Sequence, residues 1–282
     1  MRVTIPEFAT KEELFAHLRT NVKKIIAAKK SMPIKSDDLS FGYAIKRPAE
    51  PVRLGRKAAN VALPKDAEDG GGEIEVEVFA NMAGWCDSYL DVMIKDNWNK
   101  SINDIGASGQ KLIYHLKNHD YSTDAIVGKD PSLYTRDIVL SDYFNIKSDI
   151  KKAQALIMSS TVCEDYDCKV YQLYEDNQVK QHSIGLRYVK LYLCMNSDEP
   201  EDTQYKENWD KYYPQVINKD KVDSKAYFWA VTEAQILEVS VVLFGANELT
   251  TVISTSLPEA DTEDEPSAED TQQQPPKTDE PP

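Results

Sequence analysis

Polar and apolar residues alternate strictly from Glu73 to Val78, and this period of two predicts a half-buried β-strand. Other short apolar or alternating runs, bounded by polar turns, predict further strands. They cover residues 89–94, 111–116, 169–174, 179–184 with a continuation through 188–193, 225–231 and 239–244. Because the chain has many short strands and few helical segments, the pattern predicts a mainly β fold of the α+β class. Its centre would be a closed or nearly closed antiparallel sheet with flanking helices.

Two segments have a helical period. Residues 10–30 begin with a capping box formed by Thr10 and Glu13. The apolar residues of this segment fall on one stripe, made of Leu14, Leu18, Val22 and Ile25. We interpret this helix either as a docking element for another protein or as a surface helix packed on its own domain. Residues 147–158 predict a second helix.

Composition divides the chain into three regions. Residues 1–72 contain the first helix and a proline-containing, weakly patterned segment that ends in Gly70-Gly71-Gly72. We interpret them as a basic N-terminal helix and linker that serves as a propeptide. Residues 73–256 hold all the predicted strands and form one domain. Residues 257–282 are rich in Pro, Glu, Asp, Thr and Gln, and predict a disordered acidic tail.

The charge of the chain bears on its partners. The net charge is −14, with a net +5 in residues 1–72 and a net −8 in residues 257–282. Because phosphates repel an acidic chain, we expect no nucleic-acid partner. No signal peptide is recognisable and no run of 18 apolar residues occurs, so we expect no membrane span. The four cysteines, Cys86, Cys163, Cys168 and Cys194, fit free thiols of a cytosolic protein better than a disulfide framework or a zinc site.

A serine and a histidine are candidates for nucleophilic chemistry. Ser183 lies in an apolar strand segment, and Gly185 allows close approach of the backbone two residues later. A serine hydroxyl needs a neighbouring base, and His119 is placed at the end of a predicted strand where a loop can aim it. His182 is adjacent to Ser183, so on a strand its side chain points to the opposite face.

An acid would complete the set. Glu238 interrupts an apolar run, where a carboxylate needs a partner or a path to solvent, and it is the candidate for orienting the histidine. Asp120 and Glu233 are competing acids. An alternative metal-dependent hydrolase would use His115, His119 and Asp120, although the strand pattern around these histidines does not favour the helical spacing of a metal pair. We expect no metal and no cofactor.

These short motifs together resemble the prohead serine proteases of tailed phages. The resemblance covers residues 73–253, about two thirds of the chain, and rests on four motifs in the family's order. They are Asn118-His119-Asp120 with Gly128, Ser183-Ile184-Gly185, Glu238-Val239-Ser240, and Ala246-Asn247. Two departures are a longer span between Gly185 and Glu238 and a glycine, Gly245, where the family usually has proline.

The resemblance implies a fold like that of the herpesvirus assemblin proteases, an antiparallel β-barrel flanked by helices. It implies that His119 and Ser183 form the core of the active site, with Glu238 as third member where the herpesvirus enzymes use a second histidine. The activity would be that of a serine endopeptidase of capsid maturation. It would cleave the propeptides of the scaffold and of the major capsid protein, and itself, inside the assembling prohead in the host cytoplasm.

The resemblance also bears on the oligomeric state. Related barrels pair, which suggests a homodimer, but no residue of the sequence indicates one.

Two functions other than the protease stay open. The first alternative is a non-catalytic scaffold or capsid-assembly protein, because a basic N-terminal region and an acidic tail can steer assembly. The metal-dependent hydrolase is the third interpretation.

Overall fold

A computed structural model of the chain describes residues 5–31, 71–105 and 112–256. They form a mixed α and β structure around one eight-stranded sheet. The helices are α1 Lys11–Ser31, α2 Asn99–Ile105, α3 Cys168–Glu175, α4 Thr203–Tyr212 and α5 Lys219–Lys225. The strands are β1 Glu73–Met82, β2 Asp91–Met93, β3 His115–Lys117, β4 Ile126–Val139, β5 Lys152–Cys163, β6 Gln181–Met195, β7 Tyr227–Val242 and β8 Val252–Ser256.

Strand β7 is the axis of the sheet. It pairs along almost its whole length with antiparallel β6. On its other edge it takes two short parallel strands, β2 at residues 229–231 and β3 at residues 239–241. From β3 the sheet continues through antiparallel β4, β5, β1 and β8. The sheet is therefore mainly, not purely, antiparallel.

The expected closed barrel is wrong, because the sheet runs as an open path with β6 and β8 at its two ends. The backbone of residues 250 and 251, just before β8, forms hydrogen bonds to β6 and to β1. Thr250 O accepts a hydrogen bond from His182 N at 3.3 Å, and Thr251 O accepts one from Phe79 N at 2.8 Å. This short segment therefore connects β6 with β1, and no ladder joins the two strands in the described part of the chain.

Both faces of the central strands are covered, because alternate residues enter different cores. On β5, Leu156 and Met158 belong to the large core that also holds α1 and α3, while Ala155 and Ile157 belong to a second core with Phe144. A third cluster packs Trp209 and Tyr212 of α4 over Phe228 and Cys194. All four cysteines are free thiols, as the sequence predicts.

Helix α1 confirms the predicted N-terminal helix, and it packs on its own chain. The Thr10 hydroxyl accepts a hydrogen bond from Glu13 N at 3.2 Å, as a cap should. Leu18 and Ile25 are buried in the large core. Lys29 is also buried and forms an ion pair with Asp91 at 2.6 Å. The structure therefore agrees with the interpretation of α1 as a helix of its own domain.

Several predicted elements were wrong. The expected helix over 147–158 is largely strand β5, and the expected strand over 169–174 is helix α3. The predicted strand that carries residues 179–184 and continues through 188–193 is confirmed as β6. The runs at 225–231 and 239–244 are also confirmed as strand, but they belong to one long strand, β7. The predicted linker and tail lie almost entirely outside the described residues, so their boundaries stay predictions.

None of the helices in the described ranges has the length and apolarity to cross a membrane.

Candidate active site

His119 lies two residues after β3, in a backbone conformation that turns its side chain back over the sheet. Asn118 and His119 have φ values of 55° and 52°. The left-handed region costs about 1–3 kcal/mol for residues other than glycine and is tolerated best by residues such as Asn, Asp and His. Asn118 N donates to Val241 O at 2.9 Å, which ties the turn to β7. The consecutive left-handed residues therefore fix where the imidazole lies.

The imidazole of His119 contacts the carboxylate of Glu238. Nδ1 of His119 lies 2.5 Å from Oε1 of Glu238, and both side chains are buried, with exposed fractions of 1%. A carboxylate accepts a hydrogen bond from Nδ1–H, and in that tautomer Nε2 is the basic nitrogen of the neutral ring. The acid predicted to orient the histidine is in contact with it.

Ser240 holds both members of this pair. Its hydroxyl donates to Oε2 of Glu238 at 2.6 Å and accepts the backbone N–H of His119 at 3.1 Å. Sequence reasoning quoted Ser240 within a motif but gave it no role. The usable signal was the spacing of two from Glu238, which puts both side chains on one face of a strand.

Ser183 lies across the ladder from Ser240. The β6–β7 register pairs Ser183 with Ser240 and Gly185 with Glu238. Because directly paired residues of antiparallel strands project to the same face, Ser183 shares the face of Ser240 and Glu238, with paired Cβ atoms about 4.5–5.5 Å apart. A register shift follows at Gly185 and Leu186, and such bulges are common beside active sites.

The three predicted residues are thus brought to one place but are not all in contact. His119 and Glu238 touch, and Ser183 is their neighbour across Ser240. The Ser183 hydroxyl, in a side chain 7% exposed, makes no hydrogen bond to another side chain of the described ranges. His182, predicted to point away from Ser183, contacts Tyr174 in the interior instead.

The two competing acids have other partners. Asp120 is exposed and its Oδ1 accepts the backbone N–H of Ser122 at 2.9 Å. Glu233 forms ion pairs with Lys190 and Lys100, and the pKa of its carboxyl is lowered chiefly by the hydrogen bond from Lys190. The geometry therefore favours Glu238 as the orienting acid.

Beneath the site, one phenol joins two buried histidines. Tyr174 Oη lies 2.7 Å from His182 Nε2 and 3.3 Å from His115 Nε2. The Nδ1 atoms of both histidines are buried without a hydrogen-bond partner. Burial lowers the pKa of His115 to about 3 and holds that of His182 well below its ordinary value. Both rings are therefore neutral at physiological pH.

This cluster also bears on the metal alternative. That alternative needs His115, His119 and Asp120 to converge, but the ring of His115 lies with Tyr174 and His182, while that of His119 lies with Glu238. Within the ranges that the structure describes, no three His, Cys, Asp or Glu side chains are grouped to hold a metal ion. The residues present fit acid–base and nucleophilic chemistry better than metal binding.

No family model, curated protein or solved structure matches the chain at a significant level.

Proposed function

We propose that this chain is a serine endopeptidase in which Ser183 is the nucleophile, His119 the general base and Glu238 the orienting acid. The observation that carries the proposal is the buried contact of 2.5 Å between His119 Nδ1 and Glu238 Oε1, on the face to which Ser183 also projects. Outside a metal site, a buried imidazole–carboxylate pair beside a serine is the arrangement that acyl transfer requires.

The mechanism follows from the roles of these groups. His119 Nε2 takes the proton of the Ser183 hydroxyl while the oxygen attacks the peptide carbonyl. The imidazolium then lies against the Glu238 carboxylate, which stabilises it in a site where an unpaired buried charge would cost several kcal/mol. His119 returns the proton to the leaving amine, and water repeats the sequence on the acyl-enzyme.

The resting arrangement needs one adjustment, because the Ser183 hydroxyl is not yet hydrogen-bonded to the imidazole. Catalytic hydrogen bonds are often long in free enzymes and shorten when substrate is bound. A serine hydroxyl reorients by rotation about χ1 alone. Substrate bound against Ser183 would exclude water and favour the rotamer that faces His119.

The biological setting is proposed from the motifs shared with tailed-phage prohead proteases. In that setting the substrates are the scaffold and major capsid protein propeptides inside the prohead, and the enzyme trims itself near Gly70 or after Ser256. The assemblin-like type of fold and a homodimer belong to the same proposal. The mainly antiparallel sheet, with Ser183 and Glu238 on the paired strands β6 and β7, supports this proposal.

A fluorophosphonate probe tests the proposal, because it modifies an activated serine without needing a known substrate. We expect the full chain to be labelled, with the phosphonyl group on Ser183 in peptide mapping. Ser183→Ala should abolish labelling. Ser160→Ala is the matched control, because Ser160 is also a buried strand serine, on β5. A folded chain that is not labelled would contradict the protease and favour the non-catalytic assembly protein.

A further inference from the structure

A small cavity lies between the outer edge of β6 and strand β1, directly beside Ser183. Its lining includes Ser183 and Ile184 of β6, Asn81 of β1, and Asn247 of the segment before β8. The cavity has room for about one water molecule, so it is too small for a substrate side chain. A polar space of this size next to a nucleophile can instead receive a single oxygen atom, such as that of a carbonyl under attack.

The backbone N–H of Ile184 points toward this space. In an antiparallel ladder, alternate residues of a strand direct their N–H groups to opposite edges. His182 N donates to Thr250 O on the outer edge of β6, so Ile184, two residues later, presents its N–H on the same edge. Its partner Val239 agrees, because Val239 N donates to Tyr114 O beside β3 and not to β6. Within the described ranges, Ile184 N has no acceptor on the outer edge.

The side-chain amide of Asn81 supplies a second donor. The register of β1 against β5 shifts between Phe79 and Asn81, and such a bulge can re-aim a side chain. Asn81 Oδ1 accepts a hydrogen bond from Asn247 Nδ2 at 3.1 Å. This bond fixes the Asn81 amide, because Asn247 is itself oriented by its bonds to Met82 O and Leu249 N. Asn81 is only 7% exposed, yet its Nδ2 donates to no other residue that the structure describes.

Two donors without acceptors beside one serine suggest a ligand for both. A buried N–H that lacks an acceptor is unfavourable, so such groups are uncommon and call for an explanation. The negative oxygen that forms when Ser183 attacks a carbonyl would accept from both donors. His119 and Glu238 lie outside the cavity lining. This separation fits, because the base must reach the Ser183 proton while the oxygen is held elsewhere around the reacting carbon.

We propose that Asn81 Nδ2 and the backbone N–H of Ile184 form the oxyanion hole of the proposed protease, which makes Asn81 a catalytic residue. The inference rests on the proposed function, because it takes Ser183 as the nucleophile. As the bond from Ser183 Oγ to carbon forms, the serine proton passes to His119 Nε2 and the electron pair of the carbonyl π bond moves to the oxygen. The two donors stabilise that charge until the C–N bond breaks, the carbonyl forms again and the proton passes to the leaving amine.

Two probes that differ in one atom test this inference on the unaltered full chain. A fluorophosphonate presents a P=O oxygen to the donors, whereas the matched fluorothiophosphonate presents a P=S sulfur, a weak hydrogen-bond acceptor. With either probe the bond from Ser183 Oγ to phosphorus forms, the P–F bond breaks and fluoride leaves, while His119 takes the serine proton. The ratio of the oxygen rate to the sulfur rate is compared with that for hydroxide in solution, which removes the intrinsic difference in reactivity. We expect the ratio for the chain to be at least about tenfold higher.

Variants locate the effect at Asn81. Asn81→Ala should slow labelling by the fluorophosphonate about 10²-fold and lower the oxygen-to-sulfur ratio at least about tenfold. Asn81→Leu has a similar shape without an N–H and should behave alike, so it replaces Asn81→Ala if that variant does not fold by circular dichroism. Asn208→Ala is the matched control, because Asn208 Nδ2 donates to Leu193 O of β6 at 3.0 Å, outside the cavity lining. It should change neither the rate nor the ratio.

The outcomes separate this inference from the proposed function. Labelling of Ser183 with a ratio equal to that of hydroxide would overturn the oxyanion hole and leave the protease intact, and this comparison needs no variant. A lower rate with an unchanged ratio in the folded Asn81 variants would mean that Asn81 does not contact the oxygen, which would overturn its catalytic role. Absence of labelling of the folded full chain by both probes would overturn both proposals.

Discussion

Gly185 and Glu238 face each other across the β6–β7 ladder, and a Cβ atom on Gly185 would lie 2.1 Å from Oε1 of Glu238. That oxygen is the one that contacts His119. The glycine therefore provides the space in which the carboxylate reaches the imidazole. Its role is steric, because any larger residue must displace Glu238, β6 or both.

Gly185→Ala should thus impair the site more than the fold. We expect a loss of about 1–3 kcal/mol in the free energy of unfolding, typical of overpacking, and at least a tenfold slower labelling of Ser183. Gly71→Ala is the control, because the three atoms nearest to its Cβ would all belong to the side chain of Asp165, away from the site. Urea titration and labelling rates measure the two effects. Labelling of Ser183 at the original rate would show that activity does not depend on the present position of the Glu238 carboxylate.

Glu238→Gln tests the orientation of the imidazole. A glutamine amide can present N–H to Nδ1 and so favour the wrong tautomer, a change that lowers kcat by about 10⁴-fold in a comparable triad. We expect a fall of that order in labelling rate or kcat/KM. Glu233→Gln, at an acid paired with Lys190, should leave the rate almost unchanged. Equal effects of the two substitutions would reject Glu238 as the third member.

Ser240→Ala tests a positioning residue. The change removes the hydrogen bond to Glu238 and leaves the backbone N–H of His119 buried without its acceptor. We expect a loss of about 1–3 kcal/mol in stability. Because the carboxylate would be less well held, the pH profile of labelling should also shift, which a purely structural serine would not cause. Ser240→Thr should restore much of the rate, since it keeps the hydroxyl.

The site was more predictable than several of the elements that carry it. Glu238 was detectable because an acid within an apolar run must have a partner. The turn that aims His119 was not, since two consecutive left-handed residues leave no pattern in the sequence. Nor could the hydrophobic pattern give the register that pairs Ser183 with Ser240.

The errors in the fold have a common physical cause. Strand β5 is covered on both faces, so Ala155, Leu156, Ile157 and Met158 are all buried and the alternation that marks a strand disappears. Helix α3 contains Val170, Tyr171 and Tyr174, which favour strands in isolation. It forms because Asp167 caps Lys169 N and Val170 N and because these apolar residues reach the core on one side. Tertiary contacts outweigh local propensity in both cases.

The buried histidines predict instability in acid. The pKa values of His115 and His182 are lowered in the folded chain, whereas unfolded histidine titrates near 6.5. Below about pH 6.5 the unfolded state binds more protons, so each histidine lowers stability by up to about 1.4 kcal/mol per pH unit until its folded pKa is reached. Urea titrations between pH 7.5 and 5 should show this slope. His115→Gln should make it shallower, and an unchanged slope would exclude His115 as a contributor.

The ion pair between Lys29 and Asp91 links α1 to strand β2, and its contribution to stability shows how strongly α1 is held in the domain. Both side chains are buried, so Lys29→Met would leave the Asp91 carboxylate without its cation, which costs about 3–5 kcal/mol for buried pairs. Lys30→Met removes an exposed charge from the same turn and should change stability by less than about 0.5 kcal/mol. Asp91→Asn combined with Lys29→Met should recover part of the loss, because no unpaired charge remains. If Lys29→Met were as stable as Lys30→Met in urea titration, the ion pair would contribute nothing to the free energy of unfolding. Loss of α1 after cleavage in the linker would then leave no costly unpaired charge on Asp91.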